Sequence, residues 1–493
     1  MEALSPTDSA FLWLETRSQP MHVAGLNIYT PPHGESQHLH HFLTGWRKHA
    51  SAHAPFNLRP VLKLGLWYWE EDQEFELDYH LRHIALPQPG RIRELLAMVS
   101  TLHGNLLDRN RPLWEAYVIE GLPGGRFATY IKMHHALIDG VAGARLMARS
   151  MSTDPHRSTP PIWAQPSPHR RKLEPAASGS ATQRLLGALS AATRAGGQLL
   201  PGVGAGLWDM LEGLQAKTTS ARAFQAPPTP FNVEISGSRR FAAQSYSLAR
   251  LKAIGTASGA TINDVTLAIC AGALRRYLLA HDHLPKAPLI AMVPVSLRED
   301  ADATGNQVGV MLANLCTHVA EPLKRLQRIV ESTQAAKERL ANMPRLQKLA
   351  HGMTTVAPLG PGMLTGTARK HPVFNVVISN VPGVRETLYL DGARLDEVYP
   401  VSIPTHYLAL NITISGYADH LGFGFIACRR SVPSLQRLLD YTDASIQELE
   451  AALHKPAPAK RPVSRRETAP ANKTDSKTAT PAARRSRGKT PKP

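Results

Sequence analysis

From Lys132 to Gly143 the chain reads KMHHALIDGVAG: adjacent histidines at 134 and 135, then Asp139 and Gly140 four and five residues after the second. With 22 histidines in 493 residues, about one adjacent pair arises by chance, and His40-His41 is one without the same Asp-Gly. Requiring Asp and Gly at these offsets lowers the expectation to roughly a few in a thousand chains. Imidazole titrates near neutral pH, so an aimed histidine suits general-base work on a hydroxyl or thiol. Neighbours in a strand point to opposite faces. His134 and His135 are therefore expected to face different spaces, one a cleft and the other the interior. That geometry disfavours a metal site made from both histidines and Asp139, and no metal is expected. The plain structural reading makes Asp139 a helix N-cap and Gly140 a residue that permits tight contact. A carboxylate at that place also attracts a cation, and Arg59 in FNLRPVL is a candidate partner.

The flanking pattern says what positions these residues. LWEAYVIEGL (113–122) reads as a strand, Pro123-Gly124-Gly125-Arg126 as a turn and FATYIKM (127–133) as the returning strand. GVAGARLMARSMS (140–152) is helix-like, so the histidines sit where a strand ends and a helix begins. Further on, INDVTLAICAGALRRYLLAH (262–281) predicts an amphipathic helix whose Asp264 can accept from first-turn amides. LIAMVPVSLR (289–298) and FNVVISNVPG (374–383) read as buried strands, and LALNITISGYADHLGFGFIACR (408–429) as a hairpin. Strands and helices alternate in both halves, which predicts an α/β (α+β) architecture of two similar lobes with a cleft between them.

The expected division is an N-terminal lobe over 1–153, a linker over 154–229, a C-terminal lobe over 230–454 and a tail over 455–493. Residues 154–181 are rich in Pro, Ser and Arg, and 183–215 reads as two amphipathic helices broken at Pro201 and several glycines. The longest uncharged run there, Ala195 to Trp208, spans 14 residues, short of the roughly 20 needed to cross a bilayer. These helices are expected to cover a partner lobe or lie against lipid. The tail carries 12 Lys/Arg and 2 Asp/Glu, a net +10 out of the chain's +17, in a Pro/Ala/Ser/Thr-rich composition that builds no core. Such a tail can touch anionic lipid, nucleic acid or acidic proteins, or simply be solvated. No zinc-finger, helix-turn-helix or RNA-binding pattern accompanies it, so no specific nucleic acid is expected as a partner.

Three widely spaced cysteines, Cys270, Cys316 and Cys428, point to a reducing compartment. The first fifteen residues, MEALSPTDSAFLWLE, lack a basic stretch before an apolar run, so a secretory leader is not expected. There is no Gly-x-Ser-x-Gly elbow, no Walker A segment and no dinucleotide fingerprint. The chemistry left is direct transfer, in which a histidine deprotonates a hydroxyl, the oxygen attacks an activated acyl carbonyl and a good leaving group departs.

HHALIDG resembles the His-His-x-x-x-Asp-Gly motif of the CoA-dependent acyltransferase superfamily, which includes chloramphenicol acetyltransferases, carnitine acyltransferases and peptide-synthetase condensation domains. PTDSAFLWLETRSQPMHVAGL (6–26), LDRNRPLW (107–114), PFNVEISGSRRFA (230–242), TINDVTLAICAGALRRYL (261–278), VPVSLR (293–298), GNQVG (305–309) and FNVVISNVPGV (374–384) together resemble the bacterial wax ester synthase/acyl-CoA:diacylglycerol acyltransferase family. The likeness runs from about residue 5 to 450 and omits the tail.

The resemblance implies two chloramphenicol-acetyltransferase-like lobes joined by a crossing helical linker, with the active site between them. It implies His135 as general base, His134 in support, and Asp139 with Gly140 in an orienting role. Pro112, Leu113 and Trp114 match the family's Pro-Leu-Trp motif, and Asn263 and Asp264 its Asn-Asp motif. Ser379 and Asn380 are candidate oxyanion donors by position. A helix start and a buried aromatic turn are the structural alternatives for the first five of these. The implied activity is transfer of a long-chain acyl group from acyl-CoA to a diacylglycerol or long-chain alcohol. Acyl-CoA is then a substrate, and no cofactor is implied. The implied place is the cytoplasm, peripherally on the inner membrane or on lipid inclusions. A condensation-type transferase fed by a carrier protein and a catalytically idle inclusion protein stay open; acyl-CoA loading separates the first, and an activity assay the second.

Overall fold

The computed structural model describes residues 1–32, 37–138, 140–165, 225–296, 308–341 and 343–454. The expected helices of 183–215, the basic tail and Asp139 lie outside them.

Two six-stranded sheets organise the fold. The first runs in the order β12 (Tyr389–Leu390), β13 (Ala393–Val401), β2 (His22–Thr30), β7 (Phe127–His134), β6 (Trp114–Glu120), β5 (Leu81–Ala85). The second runs β10 (Val308–Asn314), β9 (Ile290–Ser296), β11 (Val376–Val381), β14 (Leu410–Tyr417), β15 (His420–Cys428), β8 (Arg239–Ser247). A small sheet of β1 (Glu2–Ala3), β4 (Leu66–Glu71) and β3 (Leu58–Lys63) stands beside the first. The expected strands and the β14–β15 hairpin form where the period-2 and apolar-run patterns placed them.

The first sheet is not made from the first part of the chain alone, because β12 and β13 come from the second half and β13 pairs along β2. The crossing depends on two glycines. A Cβ on Gly422 or Gly424 of β15 would fall 2.1 Å from the carbonyl oxygens of Val398 and Pro400 of β13. Only glycine lets the two strands approach this closely. The seam is completed by Leu95, Leu96 and Val99 of the helix Ile92–Gly104, which meet Tyr399, Val401, Phe241 and Ile426 in one apolar cluster. The core of the first sheet also extends past residue 153. Trp163 is fully buried and stacks on Trp114 at 5.3 Å between ring centroids.

All eight residues of β7 are buried, so the strand is covered on both faces and its side chains are all apolar or paired. Lys132, on β7 two residues before the histidine pair, lies 2.8 Å from the Glu115 carboxylate and donates to the Leu102 and Asn105 carbonyls. Burial lowers its pKa, and Glu115 opposes that shift. No single helix among the described residues is long and apolar enough to cross a membrane.

Candidate functional site

β7 ends at His134, and the chain turns at once: the His134 carbonyl accepts from the Leu137 N–H, 2.9 Å away. His134 is fully buried. Its N–H donates to the Leu113 carbonyl (2.9 Å), which ties β7 to the Pro112-Leu113-Trp114 turn. Its ring Nδ1 accepts from the Ala136 N–H at 3.1 Å, so the ring proton sits on Nε2. That nitrogen faces Glu15 Oε1 at 3.4 Å.

Glu15 is itself a junction. Its Oε1 accepts the Met21 N–H (3.0 Å), and its Oε2 accepts from Arg109 Nε and Nη2 at 3.2 and 3.1 Å. Burial raises the Glu15 pKa, but the bonds from His134, Met21 and Arg109 outweigh it and hold the carboxyl below its usual value. Glu15 lies just past the helix Pro6–Leu14, which Ser5 caps through a bond from the Asp8 N–H. This residue was not singled out from sequence. A carboxylate inside the apolar run FLWLE next to a basic loop was the available signal.

His135 lies one residue beyond the strand and is half-buried. Its N–H donates to the Met21 carbonyl (2.9 Å), and its ring stacks on Phe11 with centroids 4.2 Å apart. The two imidazoles have different surroundings: one is enclosed with both ring nitrogens facing protein groups, and the other, just past the strand end, is partly open. Gly140 opens the helix Gly140–Arg149, and a Cβ added there meets nothing within 4 Å. The close contact expected of it belongs to Gly143, whose added Cβ would lie 3.3 Å from Met133 Cε. Arg59 is found on the small sheet with Glu70, 3.2 Å away.

Leu113 and Trp114 are fully buried, and Pro112 with them. The Trp114 indole N–H donates to the Phe56 carbonyl (2.8 Å), and its ring stacks on His80 at 4.5 Å. Its contact with the histidine pair runs through the backbone of this turn. Asn263 and Asp264 begin the helix Ile262–Ala280 beside the second sheet. Thr261 is the N-cap, and Asp264 reaches back to accept the Thr261 N–H. The other Asp264 oxygen accepts from the Thr333 hydroxyl (2.7 Å), so both oxygens hold the helix start. Asn263 is half-buried. Ser379 and Asn380 are half-buried on β11, paired in register with Thr413 and Ile414 of β14. The histidine contacts described above all come from the chain before residue 140, whereas these four residues belong to the second sheet and its helix.

The chain is similar to proteins of known kind in sequence and in fold. The profile described as wax ester synthase/diacylglycerol acyltransferase catalytic domain matches residues 4–266, and that of the WS/DGAT C-terminal domain matches 304–450. The O-acyltransferase WSD of Acinetobacter baylyi is 43% identical over 459 residues, covering 92% of this chain and 98% of that protein. A probable diacylglycerol O-acyltransferase of Mycobacterium tuberculosis is 44% identical over 469 residues, covering 92% and 100%. The wax ester synthase/diacylglycerol acyltransferase of Marinobacter aquaeolei VT8 superposes with a TM-score of 0.73 at 40% identity, over 92% of this chain and 99% of that one. The first condensation domain of the CDA synthetase shares the fold, with a TM-score of 0.55 at 18% identity over 92% and 96% of the two chains. By sequence along nearly its whole described length and by fold, the chain belongs to the wax ester synthase/diacylglycerol acyltransferase family.

Proposed function

We propose that His135 is the general base of this O-acyltransferase and that His134 is held behind it by Glu15 and Arg109. The family's reaction joins an acyl group from acyl-CoA to the hydroxyl of a diacylglycerol or fatty alcohol, giving triacylglycerol or wax ester. The observation that carries the assignment is the difference between the two imidazoles. His134 is enclosed, with Nδ1 bonded to the Ala136 amide and Nε2 facing Glu15. His135 is half-buried beside Phe11. A base must reach a substrate proton.

In the proposed reaction, His135 takes the acceptor's hydroxyl proton as the oxygen attacks the thioester carbonyl. The tetrahedral intermediate then collapses, the carbon–sulfur bond breaks, and the CoA thiolate leaves with the proton returned from His135. Ser379 and Asn380 are proposed donors to the oxyanion, and Asn263 a proposed polar contact to substrate. Asp139 is proposed to orient the turn that carries the base, with Gly140 opening the following helix. Pro112, Leu113 and Trp114 are proposed to hold the end of β7 in place. Their support is the Leu113 carbonyl bond and the burial of Trp114. Asp264 is proposed to act at the substrate side only through the helix start that it fixes.

Glu15→Gln tests the support. The amide keeps the shape but removes the charge that Arg109 and His134 face. Hydrogen bonds to charged groups contribute about 1.5–3 kcal/mol, so kcat is expected to fall roughly tenfold or more, with the KM for acyl-CoA little changed. Unaltered kcat in a folded variant would remove Glu15 from the argument.

The enzyme is also proposed to work at a lipid surface in the cytoplasm, peripherally on the inner membrane or on lipid inclusions, where its acceptor collects. The basic tail from Lys455 is proposed to contribute through salt-screened attraction. Each cation near an anionic membrane is worth about 1 kcal/mol. A chain ending at His454 is expected to keep its turnover on dispersed substrates and to bind anionic vesicles more weakly, with most of the salt dependence gone. Undiminished binding by the shortened chain would reduce the tail to a solvated appendage.

A further inference from the structure

Among the described residues nine large apolar side chains are exposed, and six of them belong to the first helix and the small sheet: Met1, Trp13, Leu14, Leu62, Leu64 and Leu66. The last three are the tip of the β3–β4 hairpin. Leu64 is 103% exposed, Leu66 60% and Trp13 58%. Parts of the group are linked to the first helix and to the N-terminus. Trp13 meets the Trp67 ring edge-on at 5.7 Å, Trp67 is the register partner of Leu62, and Lys63 between the leucines lies 3.0 Å from Met1 Sδ.

The turn has a backbone reason to carry something else. Leu64 and Gly65 both take positive φ, 50° and 76°, the conformation of a two-residue hairpin turn that favours Asn-Gly. A leucine there is strained and projects into solvent, unfavourable on both counts unless the side chain has a destination. The charges of the two strands cancel: Lys63 and Arg59 both pair with Glu70, and Glu71 follows it on the same strand, two cations against two carboxylates. The surface is thus apolar at its tip without net attraction for an acidic partner.

We propose that the β3–β4 hairpin tip, with Trp13 and Leu14, is the surface by which this enzyme docks on the lipid layer holding its acyl acceptor. The proposal rests on the acyltransferase reading above, because that activity requires an acceptor that resides in lipid. The shape favours lipid over a protein partner. A projecting leucine finger enters a fluid interface without needing a matched pocket, and exposed tryptophan suits the boundary between apolar and wet layers. The place also fits the chemistry. Phe11, two residues before Trp13 on the same helix, stacks on His135. Leu12 and Trp67 share a cluster with Leu113 and Ala136, the neighbours of the histidine pair. The elements whose outer side would meet lipid therefore wall the base on their inner side.

The test is flotation of the full chain with phosphatidylcholine vesicles containing dioleoylglycerol, in about 0.5 M salt, where the Debye length is only a few ångströms and attraction through the tail is screened. The variant is Leu62→Ser, Leu64→Asn, Leu66→Ser, all at exposed positions, with asparagine suited to the positive φ at 64. Turnover of palmitoyl-CoA with dissolved hexanol is followed in parallel, and reads the acyltransferase reading separately from docking. The intact chain is expected to float, and the variant's partition coefficient to fall at least about tenfold on loss of the three side chains, with hexanol turnover unchanged. Equal flotation of variant and intact chain overturns the proposal, as does failure of the intact chain to float. A change in oligomeric state on substitution, with flotation unaltered, also overturns it and assigns the face to a second copy.

Discussion

His135→Ala is expected to lower turnover by roughly 100- to 10,000-fold, the range for loss of a positioned general base, while His134→Ala lowers it far less. The two substitutions remove the same side chain from adjacent positions, so burial of histidine as such does not separate them. What separates them is access. His135 is half-buried beside Phe11, whereas His134 is enclosed, facing the Ala136 amide and the Glu15 carboxylate. His134→Ala should instead appear in stability. It leaves the buried Ala136 N–H and Glu15 without their imidazole, a loss of about 1–3 kcal/mol. Single-turnover rates with acyl-CoA and alcohol, measured below the melting range of each variant, separate the two effects. Equal and small losses in both variants would sink the assignment of His135.

Stability is expected to fall steeply as pH drops from 7 to 5, because three histidines are buried in neutral form. Burial lowers His80 to about 4 and His103 to about 3, and it holds His22 well below 6.5, helped by the nearby Lys132 charge. Each ring already donates one N–H to a backbone carbonyl, and a second proton would place a charge in the buried interior. His22 Nε2 donates to the His103 carbonyl (2.7 Å), His80 Nδ1 to the Trp114 carbonyl (2.8 Å), and His103 Nε2 to the Ser402 carbonyl at 2.9 Å. The opposite nitrogens of His22 and His80 face no hydrogen-bond partner among the described residues.

The folded pKa values lie below the unfolded one, so the unfolded chain binds protons first. Stability is complete above about pH 6.5 and is lost as pH falls toward the folded values, by about 1.4 kcal/mol per pH unit for each histidine. Three together approach about 4 kcal/mol per unit, against the roughly 5–15 kcal/mol that holds a domain folded. Melting temperature followed from pH 7.5 to 5 is the measurement. A flat profile contradicts the reading, and a shallower slope in His103→Gln supports it. Since His103 bonds the Ser402 carbonyl across 299 residues of sequence, acid should also loosen the seam between the two sheets.

The motif and its local frame were legible without coordinates. His134-His135 with Asp139-Gly140, the strand before them and the helix after them are set by side-chain type and short-range periodicity, which a single sequence displays. The same holds for the two α/β halves, the buried helix from Ile262 and the β14–β15 hairpin. The ordered series of segments from PTDSAFLWLE to FNVVISNVPGV identified the family.

Tertiary structure alone decided which distant groups meet. Glu15 reaches His134 from 119 residues away in sequence, and Arg109 bonds Glu15 across 94; no periodicity encodes a contact at such separation. The chain's second half lends β12 and β13 to the first sheet because Gly422 and Gly424 leave room for another backbone, which strand alternation does not report. Trp163 turns the start of a proline-rich stretch into core by stacking on Trp114. The sequence offered Asp264 as an acceptor at the helix start, but only the fold shows that Thr261 and Thr333 claim its two oxygens. Local sequence determined which elements form and which residues are chemically able. The enclosure of one histidine and the partial exposure of its neighbour followed only from what the fold set against each.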